Sequence, residues 1–256
     1  MTNIINNFGE YIYNITEEFG KFTLFLIQVI KNIFIPPYRI EQLILQGEFI
    51  GVNSWGIVTF TGFFTGMVIA LQSSYALDMF GAQYLVGPST ILTLTREMGP
   101  VLTALMVAGR AGSAMATEIG TMKVTEQIDA LFTMSIDPIN FLIVPRVVAT
   151  ALLLPLLTFL FDAVGMFGAH LISVARGTVT GTTFWEQIFL RDYGTDLNGG
   201  LIKAIFFGIL IAVVSSYQGF ESKGGAKGVG LSSTKAVVYS SIGIMIADYF
   251  LTLLVF

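Results

Sequence analysis

The 256-residue chain contains no cysteine and a single histidine, His170. Without cysteine there is no disulfide, thiolate metal site or cysteine nucleophile, and one histidine excludes a multi-histidine zinc site. Charged residues make up only 12% of the chain, which is roughly half their share in an average soluble domain. Because so few charges cannot cover the surface of a soluble globule of this size, the composition excludes an ordinary soluble enzyme.

Basic residues are scarcer than acidic ones, and apolar residues are abundant. The chain has 13 Lys and Arg against 17 Asp and Glu, so its formal net charge is −4, whereas a nucleic-acid-binding protein needs a basic face. Hydrophobic residues account for 54% of the chain, and the mean hydropathy is +0.76. These values indicate an integral membrane protein. Residues 1–14 include Glu10 but no Lys or Arg, so we expect no cleavable signal peptide.

Apolar segments of sufficient length predict five membrane spans, since a helix needs about 20 mainly apolar residues to cross a bilayer. The predicted spans cover about residues 49–77, 95–117, 138–174, 199–220 and 234–256. Asp137 and Pro138 suit the N-cap and first helical position of the third span. We therefore expect an all-α integral membrane protein, with N-terminal helices at residues 1–48 and a five-span domain at residues 49–256. Residues 73–90 are expected to form an outer loop.

The N-terminal segment has the pattern of an amphipathic helix. Apolar residues recur there every three or four positions: Ile4, Phe8, Tyr11, Ile15, Phe19, Phe22, Leu26, Val29 and Ile33. Polar residues occupy the other faces, which predicts a helix that lies in the membrane interface rather than crossing it.

The distribution of basic residues predicts the orientation. With the N-terminus in the cytoplasm, nine of the 13 Lys and Arg lie on the inner side and four on the outer side, as the positive-inside rule requires. Five spans then place the C-terminus on the outer side. With a bacterial inner membrane as the default, this is the periplasmic side.

Small residues recur at every fourth position of the second predicted span: Ala104, Ala108, Gly112, Ala116 and Gly120. This spacing lets another helix approach closely in lipid, so we interpret Ala108, Gly112 and Ala116 as helix-packing positions. Gly62 and Gly66 form a weaker pattern of the same kind.

Residues 118–137, between the second and third predicted spans, are too polar to cross a membrane. We predict a short amphipathic helix at about residues 119–135 on the inner side, with Met122, Ile128, Leu131 and Phe132 on one face. The pattern fits equally a coupling helix that docks a cytoplasmic partner and a plain interfacial connector.

Charged residues in or beside the spans need a reason, because each costs several kcal/mol if it faces lipid. We favour buried hydrogen-bond or salt-bridge roles for Asp162 and Asp248 over substrate or proton contacts. Arg96 and Glu97, at the outer end of the second span, fit either kind of role. His170 is expected to be structural.

The segment GGAKGVG at residues 224–230 is glycine-rich but lacks the phosphate-loop pattern and a preceding strand. We interpret it as a flexible inner loop. No nucleotide-hydrolysing or protease motif is present, so an ATP-driven role would require a separate ATPase subunit.

The stretch TREMGPVLTALMVAGRAGSAMATEIGTMKVTEQIDAL, at residues 95–131, resembles the signature region of the MlaE (YrbE) permease family, the membrane subunits of ABC-type lipid transporters. Weaker similarity extends over nearly the whole chain, for example through SIDPINFLIVPR at residues 135–146 and LPLLTFLFDAVGMFGA at residues 154–169.

The resemblance implies a permease homodimer in a bacterial inner membrane, or in a plastid inner envelope. It implies a cytoplasmic ABC ATPase (MlaF-like) that binds ATP and Mg, so that this chain needs no cofactor of its own. It also implies a periplasmic MCE-domain partner (MlaD-like) and phospholipid in a cavity between the two permeases. Matching positions assign coupling to the ATPase to five residues: Glu118, Gly120, Met122, Glu126 and Asp129.

The expected lipid-binding residues come from two sources, the family resemblance and the helical spacing of apolar residues in the first span. The family's cavity positions match Leu71, Gln72, Arg96 and Glu97. Phe63, Met67, Leu71 and Tyr75 recur at helical spacing and predict one acyl-facing stripe, so the expected lipid-binding residues are Met67, Leu71, Gln72, Tyr75, Arg96 and Glu97. Arg96 can form charge-assisted hydrogen bonds to a phosphate, whereas Glu97 would repel it and suits packing, gating or an amine headgroup.

Two other functions remain open from the residues. A proton-coupled secondary transporter would use Glu97, Asp162 and Asp248, although the five spans show neither an inverted repeat nor paired broken helices. A non-transporting membrane scaffold would use the amphipathic segments only to bind partners. None of the three functions makes this chain an enzyme.

Overall fold

The structure, a computed structural model, describes the backbone of residues 2–36 and 39–256 and the side chains of residues 13, 16–36 and 39–256. Every element in these ranges is helical, which confirms the all-α prediction. An N-terminal helix covers Thr2–Ile33. Five further segments are long and apolar enough to cross a membrane, and we number them spans 1 to 5: Ile40–Asp78, Gln83–Val124, Ile139–Ala175, Gly194–Phe220 and Gly225–Val255. Two short helices complete the fold, the inner helix Gln127–Thr133 and the outer helix Gly181–Phe189.

Three of the spans are interrupted by π-helical turns. Span 1 joins α-helices Ile40–Gly47 and Trp55–Asp78 through Glu48–Val52. Span 3 opens with Ile139–Ile143 before the α-helix Val144–Ala175. Span 2 is the most divided, and its segments are, in order, Gln83–Leu85 (3₁₀), Val86–Thr93 (α), Leu94–Met98 (π), Gly99–Val107 (α), Ala108–Gly112 (π) and Ser113–Val124 (α). Single π-turns within α-helices occur frequently at functional sites.

The helices define two faces of the molecule. We name these faces by the predicted orientation. The face called inner carries the N-terminal helix and the inner helix, and the face called outer carries the outer helix and the turn at residues 79–82. Spans 1 and 3 make the most extensive contact, because glycines on both allow close approach. A Cβ added at Gly66 would overlap the carbonyl oxygen of Gly165, and one added at Gly62 would lie 2.8 Å from that of Phe161. Span 4 is central and packs against spans 2, 3 and 5.

The N-terminal helix packs part of its apolar surface against the inner ends of the spans. Phe25 and Val29 are buried together with Ile128 and Leu131 of the inner helix. The rings of Phe22 and Phe25 meet Tyr217 of span 4 edge-on, with centroids 5.2 and 5.4 Å apart. Edge-to-face pairs of this kind are favourable beyond their area of contact. Aromatic packing on span 4 therefore helps to hold this helix in place.

The outer loop predicted at residues 73–90 is mostly helical, and this prediction is wrong. Span 1 continues to Asp78, where Gly81 (φ +62°) ends it and the N–H of Ala82 donates to the carbonyl of Leu77, as in a glycine-terminated helix. Span 2 then begins at Gln83, twelve residues earlier than expected. Polar residues between positions 73 and 90 interrupt the hydropathy pattern, but most of them lie within the helical ends of spans 1 and 2.

Two inner segments also differ from the sequence predictions. The glycine-rich segment at residues 224–230 is not a loop, because only Gly224 and Gly225 adopt positive φ and span 5 begins at Gly225. The predicted helix at about residues 119–135 is divided, since span 2 runs to Val124 and the inner helix covers only Gln127–Thr133. Glu126, with φ +61°, makes the turn between them.

Candidate functional site at the outer ends of spans 2, 4 and 5

Charged side chains from three spans meet near the outer face, and we call this group the charged cluster: Arg96, Glu97, Asp196, Lys203 and Asp248. Lys203 is fully buried at its centre, with Nζ 2.9 Å from Glu97 Oε2 and 3.0 Å from Asp248 Oδ1. The carbonyl oxygen of Arg96 and Thr252 Oγ1 also lie within hydrogen-bond distance of Nζ, at 2.9 and 2.7 Å, so four acceptors share its three N–H donors. An ammonium group is tolerated in such a place only when it is paired and hydrogen-bonded.

Arg96 occupies the accessible edge of the charged cluster. Its Nε donates to Asp196 Oδ1 at 2.7 Å, and its Nη2 lies 2.5 Å from the same oxygen. The guanidinium carbon lies 4.7 Å from the ring centroid of Phe256. The side chains of Arg96 and Glu97 keep 38% and 33% of their surface exposed, whereas those of Asp196 and Lys203 keep 5% and 0%. Arg96 and Glu97 can therefore meet a ligand while the buried members hold them in position.

The backbone of span 2 is shaped to receive span 4 at this point. The π-turn Leu94–Met98 precedes Pro100, which has no N–H to offer to a carbonyl group one turn earlier. The carbonyl of Arg96 accepts instead from Lys203. A Cβ added at Gly200 of span 4 would overlap the carbonyl oxygen of Thr95, so glycine is required at position 200.

Arg96, Glu97 and Asp248 are candidates from the sequence alone, but Lys203, Asp196 and Thr252 are not among them. Their local spacing carried a signal, because Asp196 and Lys203 are seven residues apart and share a helix face, as do Asp248 and Thr252 four residues apart. An ionisable pair on one face of an apolar helix indicates a polar partner on a neighbouring helix.

The predicted acyl-facing stripe of span 1 lies against span 3. Phe63 packs near Phe167, with ring centroids 6.4 Å apart, and Met67 approaches Gly168. Tyr75 accepts a hydrogen bond of 2.9 Å from Arg176 Nη1. Leu71 is partly buried and Gln72 is exposed. No hydrogen bond, ion pair or ring contact joins this stripe to the charged cluster in the described part of the chain. The lipid-binding role of the six residues stays a prediction.

Of two further residues singled out from the sequence, Asp162 is buried and His170 is partly buried. Asp162 of span 3 is 5% exposed, and its Oδ1 has no hydrogen-bond partner among the described residues. This oxygen lies 2.1 Å from the position of a Cβ added at Gly99, so the carboxyl group packs on the backbone of span 2. His170 packs edge-on against Phe184 of the outer helix at 5.3 Å between centroids, which gives it a structural contact.

The expected coupling residues are distributed along the inner face. Glu118 Oε2 lies 2.8 Å from Arg146 Nη2, which ties span 2 to span 3. Asp129 Oδ1 lies 3.0 Å from Lys123 Nζ. Gly120 packs against span 4's inner end, where an added Cβ would lie 3.3 Å from Ser222. The remaining two take separate places: Met122 packs on the inner core, and Glu126 is exposed at the turn.

The inner helix does not present the face that its periodicity predicts. Ile128 and Leu131 are buried, but Phe132 points away from them and is 56% exposed. Met134 and Val124, on either side of the inner helix in the chain, are also exposed, at 60% and 36%. The acidic side chains of Glu126 and Asp129 are exposed in the same segment.

The three helix-packing positions lie in the contact with span 4. Ala108 and Ala116 are fully buried. A Cβ at Gly112 would lie 2.8 Å from Ser215 Oγ, and one at Gly219 would lie 2.8 Å from the carbonyl of Ala116. As for metals, no cluster of three or more His, Asp or Glu ligands occurs within the described residues.

Comparison with known proteins identifies the family. A family model described as "Permease MlaE" matches residues 43–254. A probable ABC transporter permease protein of Rickettsia bellii is 42% identical over 100% of this chain and 99% of its own length. The intermembrane phospholipid transport system permease protein MlaE of Haemophilus influenzae is 34% identical over 100% of this chain and 98% of its own. The chloroplast protein TRIGALACTOSYLDIACYLGLYCEROL 1 of Arabidopsis thaliana is 38% identical over 88% of this chain and 64% of its own. With a family model covering all five spans and relatives aligned along the whole chain, the protein belongs to the MlaE permease family.

Proposed function

We propose that the chain is the permease subunit of an ABC-type transporter that moves phospholipid between the inner membrane and a periplasmic MCE-domain partner. Membership in the MlaE family supports the proposal, together with the names of relatives as ABC transporter and phospholipid transport permeases. The observation that carries it is the charged cluster, in which buried partners hold the accessible Arg96 and Glu97 at the outer end of an apolar bundle.

The charged cluster suits a phospholipid headgroup. Arg96 retains N–H donors beyond those used by Asp196, and these can bind a phosphate by charge-assisted hydrogen bonds. Glu97, held by Lys203, is placed for an amine or for gating rather than for phosphate. Because the stripe of Met67, Leu71 and Tyr75 lies against a different span, the lipid cavity in this proposal forms between two copies, each giving residues to it.

Energy enters from the opposite face. In this proposal a separate cytoplasmic ATPase docks on the exposed apolar side chains of Val124, Phe132 and Met134. Span 2 runs from there to Arg96 over about 28 residues, or roughly 40 Å of helix. A rigid-body movement of span 2 on ATP binding would therefore reach the headgroup site directly.

Purification with its associated subunits, followed by reconstitution in vesicles, tests this proposal. We expect an ATPase to co-purify and lipid transfer to an MCE-domain acceptor to require ATP, with a non-hydrolysable ATP analogue as the control. Arg96→Gln should lower transfer several-fold while the ATPase still binds. Transfer that continues without ATP and stops with a proton ionophore would support the secondary transporter instead. No transfer under any condition would support a scaffold.

A further inference from the structure

A second polar site lies on the inner face, in a groove between the end of the N-terminal helix and the starts of spans 1 and 3. We call it the elbow groove. Its volume is about 220 Å³. Its walls are apolar, with Leu43, Val144 and Val148 among them, and its polar side chains are Asn32, Arg39 and Asn140.

Arg39 differs from the other arginines near the spans. Arg96 and Arg146 each pair with a carboxylate, and Arg110 donates to Ser54 and to the carbonyl of Phe49. The Nε of Arg39 is buried without a hydrogen-bond partner, and no acidic side chain forms an ion pair with Arg39 in the part of the chain whose side chains are described. A buried donor without a partner is unfavourable, and the positive charge of this guanidinium group stays available to an anion.

The groove holds its arginine in a fixed position. The guanidinium carbon of Arg39 lies 4.4 Å from the ring centroid of Phe141, a stacking contact that favours arginine over lysine. Asn140 donates to the carbonyl of Ile35 at 3.1 Å, and Asn32 donates to Asp137 Oδ2 at 2.8 Å. These two hydrogen bonds fix the connection between the N-terminal helix and span 3 around the arginine.

We propose that the elbow groove binds a phospholipid of the inner-face leaflet, with its phosphate on Arg39 and the start of one acyl chain along Leu43, Val144 and Val148. The charge requires an anion, and guanidinium groups bind phosphate through paired N–H donors. The apolar walls require an attached chain, which free phosphate lacks. The volume equals roughly seven times the ~30 Å³ that one water occupies in the liquid, enough for a glycerol backbone and the first carbons of a chain. This site is separate from the charged cluster, which lies at the opposite face.

Photo-crosslinking in nanodiscs of phosphatidylglycerol tests the site on the intact complex. A crosslinker at Val148, inside the groove, should capture lipid, and Arg39→Gln should reduce that capture about tenfold, as expected for one lost charge-assisted hydrogen bond. The matched position is Leu152, one turn further along span 3 and 60% exposed, where capture should not change. Lys227→Gln removes an exposed inner-face charge and should leave capture at Val148 unchanged.

Competition separates the ligand sources. Excess inorganic phosphate should not reduce capture at Val148, and nanodiscs of an uncharged diacylglycerol lipid should reduce it about as much as Arg39→Gln. Equal capture by wild type and Arg39→Gln would overturn the proposal, and so would suppression by inorganic phosphate, which would indicate a free anion. If Arg39→Gln is poorly folded, Arg39→Lys keeps the charge and should retain part of the capture. If Lys227→Gln lowered capture at Val148 as much as Arg39→Gln does, the loss would be due to general surface charge, and the proposal would be overturned.

Discussion

At the scale of single residues, Lys203 determines whether the charged cluster holds together. Its ammonium is shared by Glu97, Asp248, Thr252 and the backbone of span 2. Buried ion pairs add little net stability compared with apolar residues, but removing one partner leaves the others without compensation. The cluster is therefore a means of positioning Arg96 and Glu97, obtained at a cost in folding free energy.

We predict that Lys203→Met destabilises the protein by about 3–5 kcal/mol, which lowers Tm by roughly 10 °C for a chain of this length. Thermal unfolding in detergent measures the effect. Lys227→Met, at an exposed inner-face position, serves as the control and should leave Tm nearly unchanged. A Lys203→Met protein with the Tm of wild type would mean that the cluster does not form as described.

The contact of Asp162 with Gly99 gives a second prediction at this scale. Gly99→Ala should destabilise by about 1–3 kcal/mol, because the new methyl group meets the carboxyl group of Asp162 in a close-packed interior. In the double variant Gly99→Ala/Asp162→Ala the clash is gone, so the two effects should not add. Unfolding of the two single variants and the double variant forms a complete double-mutant cycle. Additive effects would show that the two groups do not touch.

At the scale of elements, the sequence predicted the number and nature of the spans better than their ends. Five apolar runs suffice to identify five spans because length and hydropathy are set by the bilayer. The sequence predicts that span 2 begins at about residue 95, whereas Ser89, Thr90 and Thr93 already lie within it. In the structure these hydroxyl groups donate to carbonyl oxygens three or four residues earlier. The polar side chains are therefore accommodated within the helix, which a hydropathy pattern does not reveal.

The outer helix was missed although its start has a recognisable signal. Thr180 accepts a hydrogen bond from the N–H of Thr183, which is a typical N-cap, and Phe184 and Ile188 are buried four residues apart. The charged cluster was found only in part for a different reason. Arg96 and Asp196 are 100 residues apart in the chain, and local periodicity can indicate that a polar partner exists but not which distant residue it is.

The contact between spans 2 and 4 yields a prediction that two neighbouring glycines can test. Gly112→Leu should destabilise by about 1–3 kcal/mol, because its side chain must enter the contact with Ser215 and Ile211. Gly109→Leu is the matched control, since a Cβ there meets nothing within 4 Å. Detergent-solubilised yield and Tm report both variants. The packing assignment fails if the two leucine variants behave alike.

The inner helix yields a prediction about assembly. Phe132→Ser should weaken co-purification of the proposed ATPase several-fold while Tm stays close to that of wild type, because Phe132 is exposed and supports no core contact. Ile128→Ser, one turn earlier and fully buried, should instead lower Tm. If Phe132→Ser retains the whole ATPase complement, docking occurs elsewhere on the inner face.

At the scale of the whole molecule, the proposed lipid cavity forms between two copies of the chain. We predict that photo-crosslinkers at Tyr75 and at Glu97 both capture phospholipid in the assembled transporter, although the two residues lie against different spans. Leu156, a 64% exposed residue of span 3, is a control for bulk lipid. A position such as Ile209 would not serve as a bulk-lipid control, because it lines an apolar groove of about 510 Å³ beside the N-terminal helix. Equal capture at all three positions would mean ordinary bilayer contact.

The docking of the N-terminal helix has a consequence for biosynthesis. Phe25 packs on Tyr217, which the ribosome adds about 190 residues later. At roughly 5–20 residues per second, the first helix waits about 10–40 seconds for its partner. If the helix spent that time in water, its exposed apolar face would promote aggregation or bind chaperones. A nascent chain that rests this face on the lipid surface avoids both, so the bilayer serves as a temporary partner until span 4 has been inserted.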